Sequence, residues 1–322
     1  MKNKITFCLK LILLLLICAW IFSTVNINES IKVLSKANLK YFFIAFIFNN
    51  LSCIMLTIKW FRLSQPLGIQ SNFFDLLGLN YISLFYSIFL PGQGSGELIK
   101  GLRLKSKESS HQKVWIPIFI DKTTNLLIMM LIGFIAILMD ANLKNNWQLI
   151  FSVLLLTLAF SAFTIILFSK HSEKIGDFIK KIIIKTLALI KIESKTVNNF
   201  SINYFEEYKK NDLIMLETIV WSFFTKLPHI FAIYFLGKSL NLDINFVQSA
   251  WLYSIVCIAT LLPISFSGLG VREGTLIILL SKIGIQKYTA LGFSVLVFTN
   301  GLIVGLIGGI LEFVYLLKIQ KK

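Results

Sequence analysis

Two interruptions, each carrying one glutamate, break sequence that is otherwise apolar enough to sit in a lipid bilayer. The first is Phe89-Leu90-Pro91-Gly92-Gln93-Gly94-Ser95-Gly96-Glu97-Leu98-Ile99-Lys100; the second is Pro263-Ile264-Ser265-Phe266-Ser267-Gly268-Leu269-Gly270-Val271-Arg272-Glu273-Gly274. Each ends an apolar run with proline and glycine and then starts an amphipathic piece. Backbone groups freed by a helix break find no water in hydrocarbon, so such a break survives only where protein buries it or where it lines a wet cavity. A carboxylate beside the break adds to the cost. Two such places in one chain suggest a polar path through a membrane.

The composition agrees. The 322 residues are 56% hydrophobic and 15% charged, against roughly 45–50% and about 25% in a soluble domain. One integral, helical membrane domain spanning 1–322 is the simple reading. Lys and Arg outnumber Asp and Glu by 32 to 16. They sit in short stretches between apolar runs, where they set orientation and favour anionic lipid headgroups. No soluble basic domain exists to carry nucleic acid, so that partner is not expected. Cys8, Cys18, Cys53 and Cys257 lie inside apolar runs without metal-ligand spacing, so neither a disulfide, a metal nor a cofactor is expected. The N-terminus resembles a secretory signal, but no small-x-small cleavage site follows Trp20–Thr24; an uncleaved first helix is expected.

A bilayer core about 30 Å thick takes around 20 apolar residues to cross as a helix. Segments 5–25, 40–60, 114–139, 147–168, 213–236 and 288–317 qualify, while 73–90 and 247–266 are apolar but end at the two breaks. Lys2, Lys4 and Lys10 place the N-terminus in the cytoplasm by the positive-inside rule. Two spans then return the chain to that side at Lys59 and Arg62. A full crossing by 73–90 would strand Lys100, Arg103, Lys105, Lys107 and Lys113 outside. The conflict disappears if 73–106 enters from the cytoplasm, breaks, and leaves on the same side. Lys170 to Lys195 then fall inside, and Lys318, Lys321 and Lys322 put the C-terminus there too. That requires 247–283 to enter and leave on the outer face. The expected fold is therefore all-α: a polytopic transmembrane bundle of about six full spans plus two re-entrant broken hairpins, with eight straight spans as the alternative. The two hairpins occupy corresponding places in an inverted repeat, a pattern of secondary transporters. The basic segment 170–212 carries an apolar stripe at helical spacing and reads as an interfacial helix or a linker packed on the bundle.

Several polar residues could carry chemistry. Glu97 and Glu273 each begin a helix-like piece, where a carboxylate is favoured by the helix dipole, so capping competes with a functional role. Arg272 could fork onto a phosphate or pair with Glu97 or Glu273. Asp121 and Lys122 lie inside a span, where ionisable groups face the bundle interior. They point about 100° apart, so each needs its own partner. Lys226 and His229 flank Pro228; His229 reads as a proton relay or as a hydrogen-bonded core histidine. Asn49 and Asn50 are expected to bond neighbouring helices, and Glu312 to pair with Lys318. Gly92 to Gly96, including Gly94 and Gly96, could offer backbone N–H groups to a lipid phosphate. The sequence has no Gly-x-Ser-x-Gly elbow, no His-Glu-x-x-His and no P-loop lysine, so an enzyme is not expected.

Leu90-Pro91-Gly92 through Gly96-Glu97, the Asp121-Lys122 pair, and Ser267-Gly268-Leu269-Gly270-Val271-Arg272-Glu273 together resemble the lysylphosphatidylglycerol synthase transmembrane, or flippase-like, family. The likeness covers essentially the whole chain. It implies a multi-pass inner-membrane protein that moves a lipid or lipid-linked headgroup, aminoacylated or glycosylated, across the bilayer. By the same resemblance, Glu97, Asp121, Arg272 and Glu273 fall at recurrent polar positions. Gln93 and Ser95 stand where the family often has an arginine-type residue, and Asp121-Lys122 where it often has Glu-Arg. Multidomain members add a soluble aminoacyl-transferase domain, so a separate synthase or transferase is an expected partner here. The partners expected otherwise are a membrane phospholipid or a lipid-linked glycan. The substrate site is read as Glu97, Asp121, Lys122, Arg272 and Glu273 with Gly94, Gly96, Gly268 and Gly270, and with Lys226 and His229 behind them. Two rival readings are a membrane-embedded polyprenyl-phosphate transferase and a non-transporting accessory subunit of an envelope pathway.

Overall fold

The computed structural model describes residue 23 and residues 25–69, 72–90, 94–105, 111–168, 208, 212–261 and 268–320. These form α-helices, and no strand occurs among them. In chain order they are α1 (Ile27–Ser35), α2 (Leu39–Ser64, followed by a 3-10 turn), α3 (Phe73–Phe89), α4 (Ser95–Lys105) and α5 (His111–Met139). Then come α6 (Trp147–Phe168), α7 (Asp212–Ser239), α8 (Phe246–Leu261), α9 (Val271–Lys282) and α10 (Lys287–Gln320).

Among the described residues, four helices are long and apolar enough to cross a membrane: Leu39–Leu67, Val114–Met139, Leu213–Ser239 and Lys287–Leu317. The expected span 147–168 forms α6, an apolar helix of 22 residues. Span 5–25 lies, except for Ser23 and Val25, outside the described residues, as does most of 170–212. The helix starts follow from local chemistry. The side-chain oxygens of Asn38 and Asn72 accept from the N–H groups of Lys40 and Phe74, satisfying donors that the first turn leaves open. α9 starts after Gly270, whose φ of 81° suits glycine. The Glu273 carboxylate then accepts the Gly270 N–H at 2.6 Å, closing the first turn. The capping reading of Glu273 is thereby met.

α2 and α7 run antiparallel at the centre. The Asn38 N–H donates to the Ser239 carbonyl at one end, and Arg62 pairs with Glu217 at the other. Around this pair, α2–α5 and α7–α10 form two units with matching contacts. α3 packs on α10 as α8 packs on α5, and α4 lies on α5 as α9 lies on α10. α1 and α6 are additions, seated on α10 and α5 respectively.

Each broken hairpin enters and leaves at one end of the bundle. α3 starts where α2 finishes and reaches the middle of α10, where Ile88 meets Gly305. α4 then turns back along α3, and Arg103 near its end pairs with Glu312 near the end of α10. α8 starts where α7 finishes. Its Trp251 indole N–H donates to Asp140, just past the C-terminus of α5, at 2.9 Å. Further along, Ser254 lies against Gly133, and α9 returns toward the start of α10. The two hairpins thus enter from opposite ends, as the inverted-repeat reading predicts.

Lipid tails are as apolar as leucine, so helices in a bilayer associate through close packing and polar bonds. α10 presents Gly305, Gly308 and Gly309 to α3. A Cβ on Gly308 would run into the Tyr81 carbonyl, and one on Gly309 into the Phe85 ring. Between α2 and α7, Phe48 stacks on Phe231 and Phe235 with ring centroids 5.0 and 5.5 Å apart.

Candidate functional site

The first polar assembly forms where α2, α4 and α5 meet. Gly96 sits directly on the Ser83 carbonyl, with no room for a side chain, which lets α4 lie flat against α3. That placement turns Glu97 toward α5, where its Oε1 lies 3.3 Å from Lys122 Nζ. Asp121, one residue earlier, faces the other way. Its Oδ1 is 2.7 Å from Lys59 Nζ, and Lys59 also donates to Thr124 Oγ1 at 3.1 Å. The adjacent Asp121 and Lys122 thus have separate partners, as their angular separation requires. Lys100, three residues after Glu97, is 1% exposed. Its Nζ stands 3.4 Å from the centre of the Trp60 ring. Neither Lys100 Nζ nor Glu97 Oε2 finds a hydrogen-bond partner among the described residues. Lys226 approaches from α7, half-buried and within electrostatic range of Lys59, Asp121 and Lys122.

The second assembly sits where the other hairpin turns back. The Arg272 guanidinium donates to Glu273 Oε1 through Nε at 3.1 Å and through a terminal nitrogen at 2.5 Å. It also lies over the Phe298 ring, 4.6 Å from its centre. The carboxylate that pairs with Arg272 is therefore Glu273 and not Glu97. Among the described residues, no ion pair or hydrogen bond joins Glu97, Asp121 or Lys122 to Arg272 or Glu273.

A buried polar seam separates the two. Asn49 Nδ2 donates to Asn300 Oδ1 at 2.6 Å, and Asn300 Nδ2 donates to the Phe42 carbonyl. His229 lies 2.9 Å from Asn49 through Nδ1 and 2.8 Å from Ser52 through Nε2, and it stacks on Tyr253. The core-histidine reading of His229 fits these contacts. Asn50 accepts from the Tyr81 hydroxyl at 2.8 Å, so both asparagines bond neighbouring helices as expected.

Beside this seam lies a cavity of about 250 Å³. It touches both hairpins: Leu84 comes from α3, while Thr260 and Arg272 come from α8 and α9. Asn49, His229 and Gly301 complete its polar and small-residue wall, and the rest is chiefly apolar. The path anticipated from the sequence is thus less polar here than expected. Most of the buried charge lies to one side, in the α2–α4–α5 assembly.

Gly94 is exposed with no neighbour that a side chain would meet, so Gly96 is the packing glycine of the pair. Gly268 takes a φ of 77°. Three residues escaped the sequence reading. Lys59 was expected at a wet helix end but is 1% exposed; Lys100 was counted as a loop cation but is buried. Glu312 pairs with Arg103 and accepts from the Tyr86 hydroxyl at 2.9 Å; the side chain of Lys318, its expected partner, lies outside the described residues. The i, i+3 spacing of Glu97 and Lys100 was the one available hint that both share a helix face. No group of three or more His, Cys, Asp or Glu suited to a metal ion occurs among the described residues.

Comparison with known proteins gives a family. A UPF0104 membrane protein, MJ1595, of Methanocaldococcus jannaschii is 24% identical over 310 residues, covering 92% of this chain and 91% of the relative. The family described as lysylphosphatidylglycerol synthase TM region matches residues 7–309, which takes in both hairpins and the charged assembly between α2, α4 and α5. The chain therefore belongs to the lysylphosphatidylglycerol synthase transmembrane-region family.

Proposed function

We propose that this protein is a flippase-like transporter, without enzymatic activity of its own, that carries the headgroup of a lipid or lipid-linked molecule across the inner membrane. In this reading both termini face the cytoplasm, and an aminoacyl- or glycosyl-transferase works beside it. The observation that carries the proposal is the cavity touched by two hairpins that enter the bundle from opposite ends. Broken elements at corresponding positions of an inverted repeat suit alternating access, because each can gate one face around a fixed site. Arg272 and the lysines near Glu97 and Asp121 supply polar contacts along the path, while the apolar wall tolerates the upper part of a lipid chain.

The test is reconstitution in liposomes containing fluorescent lipids, with translocation read by quenching from outside. Wild type should move lipid between leaflets. Arg272→Ala and Glu97→Gln should each slow it by roughly tenfold or more, the effect of losing one charge-assisted contact. Translocation unchanged by both substitutions would remove the proposed path.

A further inference from the structure

The α2–α4–α5–α7 assembly holds more positive than negative charge. Lys59 comes from α2, Lys100 from α4, Lys122 from α5 and Lys226 from α7, while Glu97 and Asp121 are the carboxylates among the described residues of the cluster. Asp121 is taken by Lys59 and Glu97 by Lys122. Lys100 is 1% exposed, its Nζ meets an aromatic face, and no oxygen among the described residues accepts from it. The unpartnered Glu97 Oε2 lies on the same helix, three residues before Lys100, and offers one acceptor. Even if Lys100 turned to it, two of the four lysines would remain without a carboxylate of their own. Ammonium groups held away from water are costly unless something neutralises them. Around this cluster the described residues supply too few anions.

We infer that the lysine cluster centred on Lys100 and Lys122 binds the phosphate of a net-anionic headgroup and discriminates against cationic, aminoacylated ones. This deepens the transport reading by fixing the sign of the cargo's headgroup, although binding itself does not require transport. Phosphate oxygens accept charge-assisted hydrogen bonds from lysine, which serves as a point charge in such sites. Lys122, with a side chain 48% exposed, is the reachable edge of the cluster, and Lys100 is the buried floor. A headgroup whose own amine outweighs its phosphate would meet four ammonium groups against two carboxylates. Trp60 favours the same choice. Its buried indole N–H also has no acceptor among the described residues, so a phosphate oxygen would satisfy a second donor beside Lys100.

The experiment follows thermal unfolding of the full chain in detergent while short-chain phosphatidic acid, inorganic phosphate, or a short-chain lipid with a trimethylammonium headgroup and no phosphate is added. Phosphatidic acid should raise the midpoint, less so as salt increases. A rise with inorganic phosphate as well identifies phosphate as the recognised group. A rise with phosphatidic acid alone means that the phosphate must be lipid-borne. Lys100→Met should weaken apparent affinity roughly tenfold to 100-fold, and the exposed Lys282→Met on α9 should not. If Lys100→Met fails to fold, Lys122→Met, altered at a half-exposed side chain, carries the test. An equal response to the cationic lipid, or full responses in the Lys100 and Lys122 variants, would overturn the inference. Phosphate binding without lipid translocation would sink the transport reading alone, and translocation without phosphate binding would sink this one alone.

Discussion

Lys59 Nζ and Asp121 Oδ1 stand 2.7 Å apart between α2 and α5, and neither side chain is more than 3% exposed. A buried ion pair adds little over a well-packed apolar pair, but removing one member leaves an uncompensated charge, at a cost of about 3–5 kcal/mol. Lys59→Met should therefore destabilise the protein by about that amount. The double variant Lys59→Met, Asp121→Leu should recover most of the loss. Denaturant unfolding in detergent reads both. A single variant as stable as wild type would mean that Asp121 is already neutralised by Lys100 or Lys122.

Gly308 faces the Tyr81 carbonyl with no room for a β-carbon, whereas Gly301, on the cavity wall, has no such neighbour. Gly308→Leu should force α3 away from α10 and cost about 1–3 kcal/mol, as overpacking typically does. Gly301→Ala should stay within about 0.5 kcal/mol of wild type. Thermal midpoints of the two variants, measured side by side, decide between close packing and a general aversion to side chains on α10.

Much of this architecture was legible before any coordinates. Pro91 to Gly96 and Pro263 to Gly274 marked the two hairpins because membrane-grade sequence tolerates such breaks only inside protein or beside a cavity. The separate partners of Asp121 and Lys122 followed from helix geometry alone. Lys59 and Lys100 were not legible, because charge-counting rules treat a lysine near a helix end as wet. Burial of Lys59 depends on Asp121, 62 residues later, and burial of Lys100 on the face of Trp60. Nor was the pairing of Arg103 with Glu312 legible, because it joins residues 209 positions apart in the chain.

Asp140 anchors the second hairpin. Its Oδ2 accepts from the Trp251 indole at 2.9 Å and its Oδ1 from the Asn142 N–H at 2.8 Å. Asp140→Ala strands the buried indole donor and should cost about 1–3 kcal/mol. Asp140→Asn, which keeps one oxygen acceptor, should cost less. Unfolding midpoints together with a change in tryptophan emission would check both; equal losses in the two variants would show that charge, and not the indole bond, is what matters there.

The central claim is that the two broken hairpins enter the membrane from opposite faces. Single cysteines introduced as Lys105→Cys at the end of α4 and Lys282→Cys at the end of α9, in a chain without its native cysteines, test it most directly. Each is exposed to a membrane-impermeant maleimide from one side of oriented membranes and then from the other. The account predicts that the two positions react from opposite sides. Reaction of both from the same side, as eight straight spans require, would contradict it.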